Sequence, residues 1–206
     1  MSLTLYSFSG SCGLASNIVL EWTGAPYKLE LLQKDQLHTD QFYRINPMGK
    51  VPVLLVDDWP LDENAAVLNY LAAAYPDARL AGEGPKGLAD VNRWLGLVNS
   101  EIHPAYKPLF GATAYLEDDA VIEKTKTHAR SQLRKLFTLC DEQLGKHDYL
   151  AGQRSIADAY LFVTLLWSHM TNVDIGGLDN LARYETRMRA DVGVQAALKA
   201  QQLDKS

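Results

Sequence analysis

The stretch Val51-Pro52-Val53-Leu54-Leu55-Val56-Asp57-Asp58-Trp59-Pro60-Leu61-Asp62-Glu63-Asn64 decides the fold. Val51 to Val56 is a short, nearly continuous apolar run, the pattern of a buried strand. Asp57-Asp58 turns it into a brief partner around Trp59 to Leu61. Glu63 to Tyr75 then reads as a strong helix rich in Ala and Leu, with Asp62 as its cap and Pro76 as its stop. Upstream, Tyr27 to Leu31 alternates as a half-buried strand, and Phe42-Tyr43 sits in a short helix broken by Asn46-Pro47-Met48-Gly49. Leu3 to Tyr6 is a β-like segment ending in Ser9-Gly10-Ser11. From Cys12 a helical face begins with Leu14, Ile18 and Val19, until Gly24 stops it. The order is βαβαββα, a small α/β domain over residues 1–77.

Downstream the period changes. Pro76 to Gly87 has linker composition, which sets a linker at 78–87. No strand pattern follows, so 88–206 reads as an all-α domain. Leu88 to about Phe110 carries Trp94, Leu97, Val98 and Ile102 on one face, and Ala120 to Leu144 carries Leu133, Leu136, Phe137 and Cys140. Ser155 to His169 is the most apolar helix, opened by the capping-box-like Ser155-Ile156-Ala157-Asp158. At 206 residues and 47% apolar side chains the chain can bury a core of this kind. A net charge of −5 argues against a nucleic-acid groove or an anionic membrane as partner. Two cysteines cannot form a disulfide framework, which points to a reducing, cytoplasmic setting. Nothing at the N-terminus reads as an export signal, and Ala159 to Trp167 is far short of the ~18 apolar residues of a membrane span.

Few residues carry chemistry. Cys12, in Gly10-Ser11-Cys12-Gly13, falls beside a helix N-terminus, whose N–H groups and dipole favour a thiolate; the alternative is a small buried residue. Cys140 lies on an apolar stripe and reads as core. Pro52 at the start of a strand leaves Val51 with backbone groups to offer elsewhere, and a cis bond is one way to present them. Glu63-Asn64 at a helix start reads as plain capping, or as a site for a ligand carboxylate and ammonium. His103 precedes Pro104 and Pro108, which cannot donate to the carbonyls of Ser100 and Pro104, so this helix should bend into a cleft wall lined by Tyr106 and Phe110. A solvent-facing His near a kink is the equal alternative. No CxxC, HExxH, Walker-type or GxSxG pattern occurs, and the five histidines lack metal-ligand spacing.

Five motifs in order carry a resemblance over almost the whole chain: Ser-Cys-Gly-Leu-Ala-Ser at 11–16, Asn-Pro-Met-Gly-Lys-Val-Pro at 46–52, Asp-Glu-Asn at 62–64, Glu-Ile-His at 101–103, and Gly152 through Ser-Ile-Ala-Asp-Ala-Tyr-Leu-Phe at 155–162. The sequence resembles a cytosolic glutathione transferase and is most similar to the bacterial beta class. The resemblance implies a thioredoxin-like N-terminal domain, an all-helical C-terminal domain and a homodimer. It implies glutathione as co-substrate, with no resident cofactor or metal, and a small hydrophobic electrophile as second substrate. Cys12 would face the glutathione sulfur, with Ser11 as a fallback hydroxyl donor and His103 approaching from the helical domain. Val51, before a cis Pro52, would pair with the cysteinyl unit, and Glu63 and Asn64 would hold the γ-glutamyl end. Lys34 would reach the glycyl carboxylate, with Lys50 and His38 as rivals. The electrophile would lie against Tyr106, Phe110 and Tyr115. Departures from the family pattern are Gly13 after the cysteine, Pro104 after the histidine, Ser7 where an aromatic hydroxyl is common, and Gly96 where Asn is common. Thiol–disulfide exchange through Cys12 and a non-catalytic ligand-binding role are the competing expectations.

Overall fold

The computed structural model describes residues 1–204; Lys205 and Ser206, the last two residues of the expected helical domain, lie outside the described residues. Strands β1 (Leu3–Ser7), β2 (Lys28–Leu31), β3 (Val53–Val56) and β4 (Trp59–Leu61) form one sheet in the order β2-β1-β3-β4. β1 pairs in parallel with β2 and antiparallel with β3, with Leu5 opposite both Leu29 and Leu54. Alternation on β1 divides the two faces. Leu3 and Leu5 point into the main core, where α1 (Gly13–Thr23) and α3 (Asn64–Ala74) pack. Tyr6 points to the other face, where Phe42 of α2 (Asp40–Tyr43), Leu37 and Val53 form a smaller cluster. α1 ends as expected, with Gly24 in the left-handed region at φ 67° donating to the Glu21 carbonyl. The hairpin β3–β4 turns through Asp57, itself at φ 51°.

The second half is helical: α4 (Gly84–Leu97), α5 (His103–Ala105), α6 (Asp119–Leu144), α7 (Ile156–Thr171), α8 (Asp179–Ala190) and α9 (Val192–Ala200). α4 begins four residues earlier than its periodicity predicts. Pro85, in its first turn, is suited to a position where the missing N–H has no intrahelical partner in any case. The expected single helix from Leu88 to Phe110 is interrupted. A π-helical turn spans Val98–Ile102, α5 ends at Ala105, and turns continue to Gly111 and beyond. The cause is the one the sequence supplies: neither Pro104 nor Pro108 can donate to the preceding turn.

α7 is buried along most of its length, as its all-round apolar character requires. It packs against α1, which also packs against α9, so one apolar core runs through both halves. At its start the buried Asp158 carboxylate accepts from the Ser155 N–H (2.9 Å), the Ser155 hydroxyl (2.7 Å) and the Leu150 N–H (3.0 Å). Cys140 is fully buried in α6. No helix among the described residues is long and apolar enough to cross a membrane.

Candidate active site

A cleft of about 1600 Å³ opens between the α/β half and the helical half. Its floor is the turn that joins β1 to α1. Gly10, at φ 76°, supplies the positive φ, and both its backbone groups are held by the helical half. Its N–H donates to Gln201 Oε1 at 3.2 Å, and its carbonyl accepts from Trp167 Nε1 at 2.8 Å. Gln201 is fully buried; it also accepts the Ser9 hydroxyl at 2.6 Å and donates to Asn17 Oδ1 at 3.2 Å. Three hydrogen bonds from distant residues thus fix the turn that carries Cys12, and a fourth ties Gln201 to α1.

Cys12 occupies the N-cap of α1 and its N–H has no partner among the described residues. Its Sγ donates to the Val51 carbonyl at 3.7 Å. The surroundings of Cys12 work against the expected thiolate. Burial pushes the Cys12 thiol up to about 12, and the nearby Glu63 carboxylate adds to the rise, against the lowering by backbone N–H groups of Cys12 and Gly13. Desolvation outweighs the helix N-terminus, because the half-charge of the dipole cannot replace lost water around a sulfur anion. Ser11 turns away from solvent: its Oγ accepts from the Gly13 N–H at 3.2 Å and pairs with Ser7 Oγ at 3.0 Å. Both hydroxyls are buried.

Gly13 and Ser7 form one packing unit. A Cβ at Gly13 would stand 2.3 Å from Ser7 Oγ and 3.2 Å from Pro52 Cβ, far inside contact distance. Two of the departures noted in the sequence therefore belong together. The Val51–Pro52 bond is cis. Val51 lies before β3 begins, and its N–H has no partner among the described residues. A stretch of backbone beside Cys12 is left available for pairing with an extended ligand.

The start of α3 also lines the cleft. Glu63 is its N-cap, and Asp62, the expected cap, makes no such bond. Glu63 holds φ 60° and ψ 109°, outside the regions that a residue with a Cβ ordinarily occupies. Its side chain is exposed and without a cap bond, so the first N–H groups of α3 and a free carboxylate face the cleft together. Asn64 also lines the cleft, though it is buried. Its Oδ1 accepts from Ser16 Oγ at 2.7 Å, and its Nδ2 has no hydrogen-bond partner among the described residues. Lys34 and Lys50 also line the cleft. His38 does not; it is paired with the Tyr43 hydroxyl at 3.1 Å.

From the helical half, His103 lines the cleft with Nδ1 bound to the Tyr160 hydroxyl and its ring 4.9 Å from that of Trp167. Nε2 has no partner among the described residues. Burial first, and the Lys107 charge second, lower His103 to about 4, so the imidazole is neutral at neutral pH. Burial raises the Tyr160 phenol, with Cys12 adding to the rise and the Asn64 amide pulling the other way. The aromatic wall differs from expectation. Phe110 lines the cleft and is 52% exposed, but Tyr106 is buried behind it, stacked at 5.6 Å with its hydroxyl on the Thr164 carbonyl. Tyr115 is 77% exposed and outside the cleft. Three lining residues, Tyr160, Trp167 and Gln201, escaped the sequence reading. The first two lie in the most apolar helix and read as core; their polar tips, which need partners when buried, were the available signal. Gln201 gave none. No group of His, Cys, Asp or Glu able to hold a metal occurs among the described residues.

The arrangement can bind an extended molecule with a zwitterionic end, hold a sulfur or similar centre beside Cys12, and present it to an aromatic wall. Residues 1–73 match the family model described as "Glutathione S-transferase, N-terminal domain", and 102–191 match "Glutathione S-transferase, C-terminal domain". A glutathione S-transferase of Xanthomonas campestris pv. campestris is 45% identical over 98% of this chain and 100% of its own. Among solved structures, a glutathione S-transferase from Xylella fastidiosa superposes with a TM-score of 0.96 at 43% identity, covering 98% of this chain and 99% of that one. A bacterial beta-class glutathione S-transferase from Sphingomonas chungbukensis gives 0.85 at 31% identity, covering 97% and 99%.

Proposed function

The chain belongs to the glutathione S-transferase family and conjugates glutathione to electrophiles, and from that premise we propose how its residues divide the work. The Val51 N–H and carbonyl pair with the cysteinyl unit of the tripeptide, which lays its sulfur beside Cys12. Glu63 takes the ammonium of the γ-glutamyl end, and the uncapped N–H groups at the start of α3 take its carboxylate. Lys34 and Lys50 serve the glycyl carboxylate. Asn64, buried in the cleft wall, holds Ser16 and thereby α3 against α1.

Cys12 works as a neutral thiol. At about 12 it keeps its proton at neutral pH, so Sγ–H and the Cys12 N–H donate to the glutathione thiolate. The same protonation weighs against Cys12 as a thiol–disulfide nucleophile, which must be a thiolate. His103, kept neutral by burial, receives the Tyr160 hydroxyl on Nδ1 and offers Nε2–H to the anion. Ser11 secures the turn through Ser7 and Gly13. The thiolate, deprotonated to water and stabilised by these donors, then attacks the electrophile against Phe110, and catalysis is anion stabilisation plus positioning. The protein works in the cytoplasm, where its two free thiols stay reduced, and as a homodimer.

The observation that carries this reading is the Val51 N–H beside Cys12, unpaired among the described residues, in one cleft with the uncapped α3 terminus. Calorimetric glutathione titration of wild type and Glu63→Ala tests it. Loss of a charge-assisted contact of about 1.5–3 kcal/mol weakens binding roughly tenfold to a hundredfold. Equal affinity in the two proteins would overturn the assignment of the site.

A further inference from the structure

Among the described residues, the helical half's share of the cleft wall carries a single formal charge. Asn99, His103, Phe110, Trp167 and Met170 line it with Lys107 among them, and every carboxylate lining the cleft, Asp35, Asp62 and Glu63, comes from the α/β half. Lys107 is exposed and makes no ion pair or side-chain hydrogen bond among the described residues. Its charge nonetheless reaches the site, since it is the second cause of the lowered His103 pKa. Three residues on, the Phe110 ring forms a flat face in the cleft. It is backed by Tyr106 at 5.6 Å and 17° and braced by the Trp167 edge at 5.2 Å and 84°. A rigid aromatic platform with one uncompensated cation at its border is a poor match for a purely apolar electrophile. Such a substrate would strip water from Lys107 and return nothing. A planar ring with a carboxylate lies on Phe110 and compensates the charge.

We propose that the second substrate of this cleft is an aromatic electrophile bearing an anionic substituent, and that Lys107 is the residue that selects it. The inference rests on the conjugation reading above and names the electrophile class for that site. For a halonitrobenzoate, the glutathione thiolate forms a bond from sulfur to the ring carbon bearing the halogen. The carbon–halogen bond breaks, halide leaves with its electron pair, and the thiol proton has gone to water.

The test compares 4-chloro-3-nitrobenzoate with its neutral amide, 4-chloro-3-nitrobenzamide, in wild type, Lys107→Met and Lys107→Arg. One charge pair at partly solvated contact distance predicts a fall of about fivefold to tenfold in the benzoate-to-amide ratio of kcat/KM for Lys107→Met. Lys107→Arg retains the ratio, and salt compresses it in wild type. Calorimetric binding of the two preformed glutathione conjugates should show the same loss for the carboxylate conjugate in Lys107→Met, with no turnover required. An unchanged ratio and unchanged conjugate binding would overturn the inference while leaving conjugation intact. Glutathione affinity falling in Lys107→Met with no change in the ratio would also overturn it, by assigning Lys107 to the tripeptide. Failure of wild type with both electrophiles, despite conjugate binding that ignores charge, would refute this inference together with the transferase reading.

Discussion

Replacing Gly13 by Ala puts one methyl group where the Ser7 hydroxyl already stands. The Cβ would lie 2.3 Å from Ser7 Oγ, 3.1 Å from Ser7 Cβ and 3.2 Å from Pro52 Cβ. The backbone at Gly13 is ordinary helix, so the cost is packing and not strain in φ. Overpacking a filled site costs about 1–3 kcal/mol, of which alanine's better helix propensity returns less than about 1 kcal/mol at a first-turn position. Ser7→Ala alone loses the hydrogen bond to Ser11 Oγ and costs about 1 kcal/mol. The double variant relieves the 2.3 Å overlap and keeps only contacts above 3.0 Å, which shifts of a few tenths of an ångström absorb. It should therefore be more stable than the sum of the single effects by about 1–2 kcal/mol. Urea unfolding of the four proteins measures the coupling, and glutathione calorimetry on the same proteins reads the consequence at the site. Pro52 abuts the same point, so Gly13→Ala should also weaken glutathione binding, and Ser7→Ala should restore part of it. Effects that add within about 0.5 kcal/mol would show that the overlap is absorbed elsewhere and that Gly13 and Ser7 are not a unit.

Stability should depend on pH through two opposed groups. Burial raises the Asp158 carboxyl to about 6, so the folded protein holds that proton more tightly than the unfolded chain. Its contribution is full below about pH 4 and is lost as pH rises through 6. His103 is depressed to about 4; its contribution is full above about pH 6.5 and is lost as pH falls toward 4. The two nearly cancel between pH 4 and 6, so wild type should be flat there. Asp158→Asn should expose a falling stability toward acid and His103→Asn the reverse, and thermal melts in which neither variant tilts would contradict both assignments. Gln201→Ala leaves the Gly10 N–H and Asn17 Oδ1 to find other partners, while the Ser9 hydroxyl keeps the backbone carbonyl of residue 201. Glutathione KM should rise severalfold with kcat moved less, while Gln201→Glu keeps an acceptor for the Gly10 N–H and should retain more of the affinity; equal losses of kcat in both would point to a general folding defect. Cys12→Ser keeps a donor and Cys12→Ala removes it, so conjugation at saturating substrates should fall about tenfold in Cys12→Ala and less in Cys12→Ser. If Cys12→Ala alone matched wild type, the thiol would have no part in holding the anion.

Much of the fold is local, and local patterns are what a sequence displays. The β3–β4 hairpin, the stop of α1 at Gly24, the break at Pro104 and the start of α7 at Ser155–Asp158 each rest on groups within about four residues of one another. The positions of Cys12, Val51, Glu63 and His103 around one cleft followed from motif order. What each of them does in that cleft depends on surroundings supplied by other segments. The thiol at the helix start reads as a thiolate by dipole alone, whereas burial pushes it toward the neutral form. Tyr106 and Phe110 share an aromatic pattern, yet only packing against Trp167 and the Thr164 carbonyl sends one into the core and leaves the other facing the cleft. Gln201 reaches Ser9 across 192 residues, and no periodicity could announce it. The sequence by itself determined the order of elements, their ends and the family motifs, because these are set by neighbours along the chain. Tertiary structure alone decided which groups are desolvated, which side chains face the cleft, and what holds the turn that carries Cys12. Desolvation and contact belong to the packed assembly and have no value for an isolated segment.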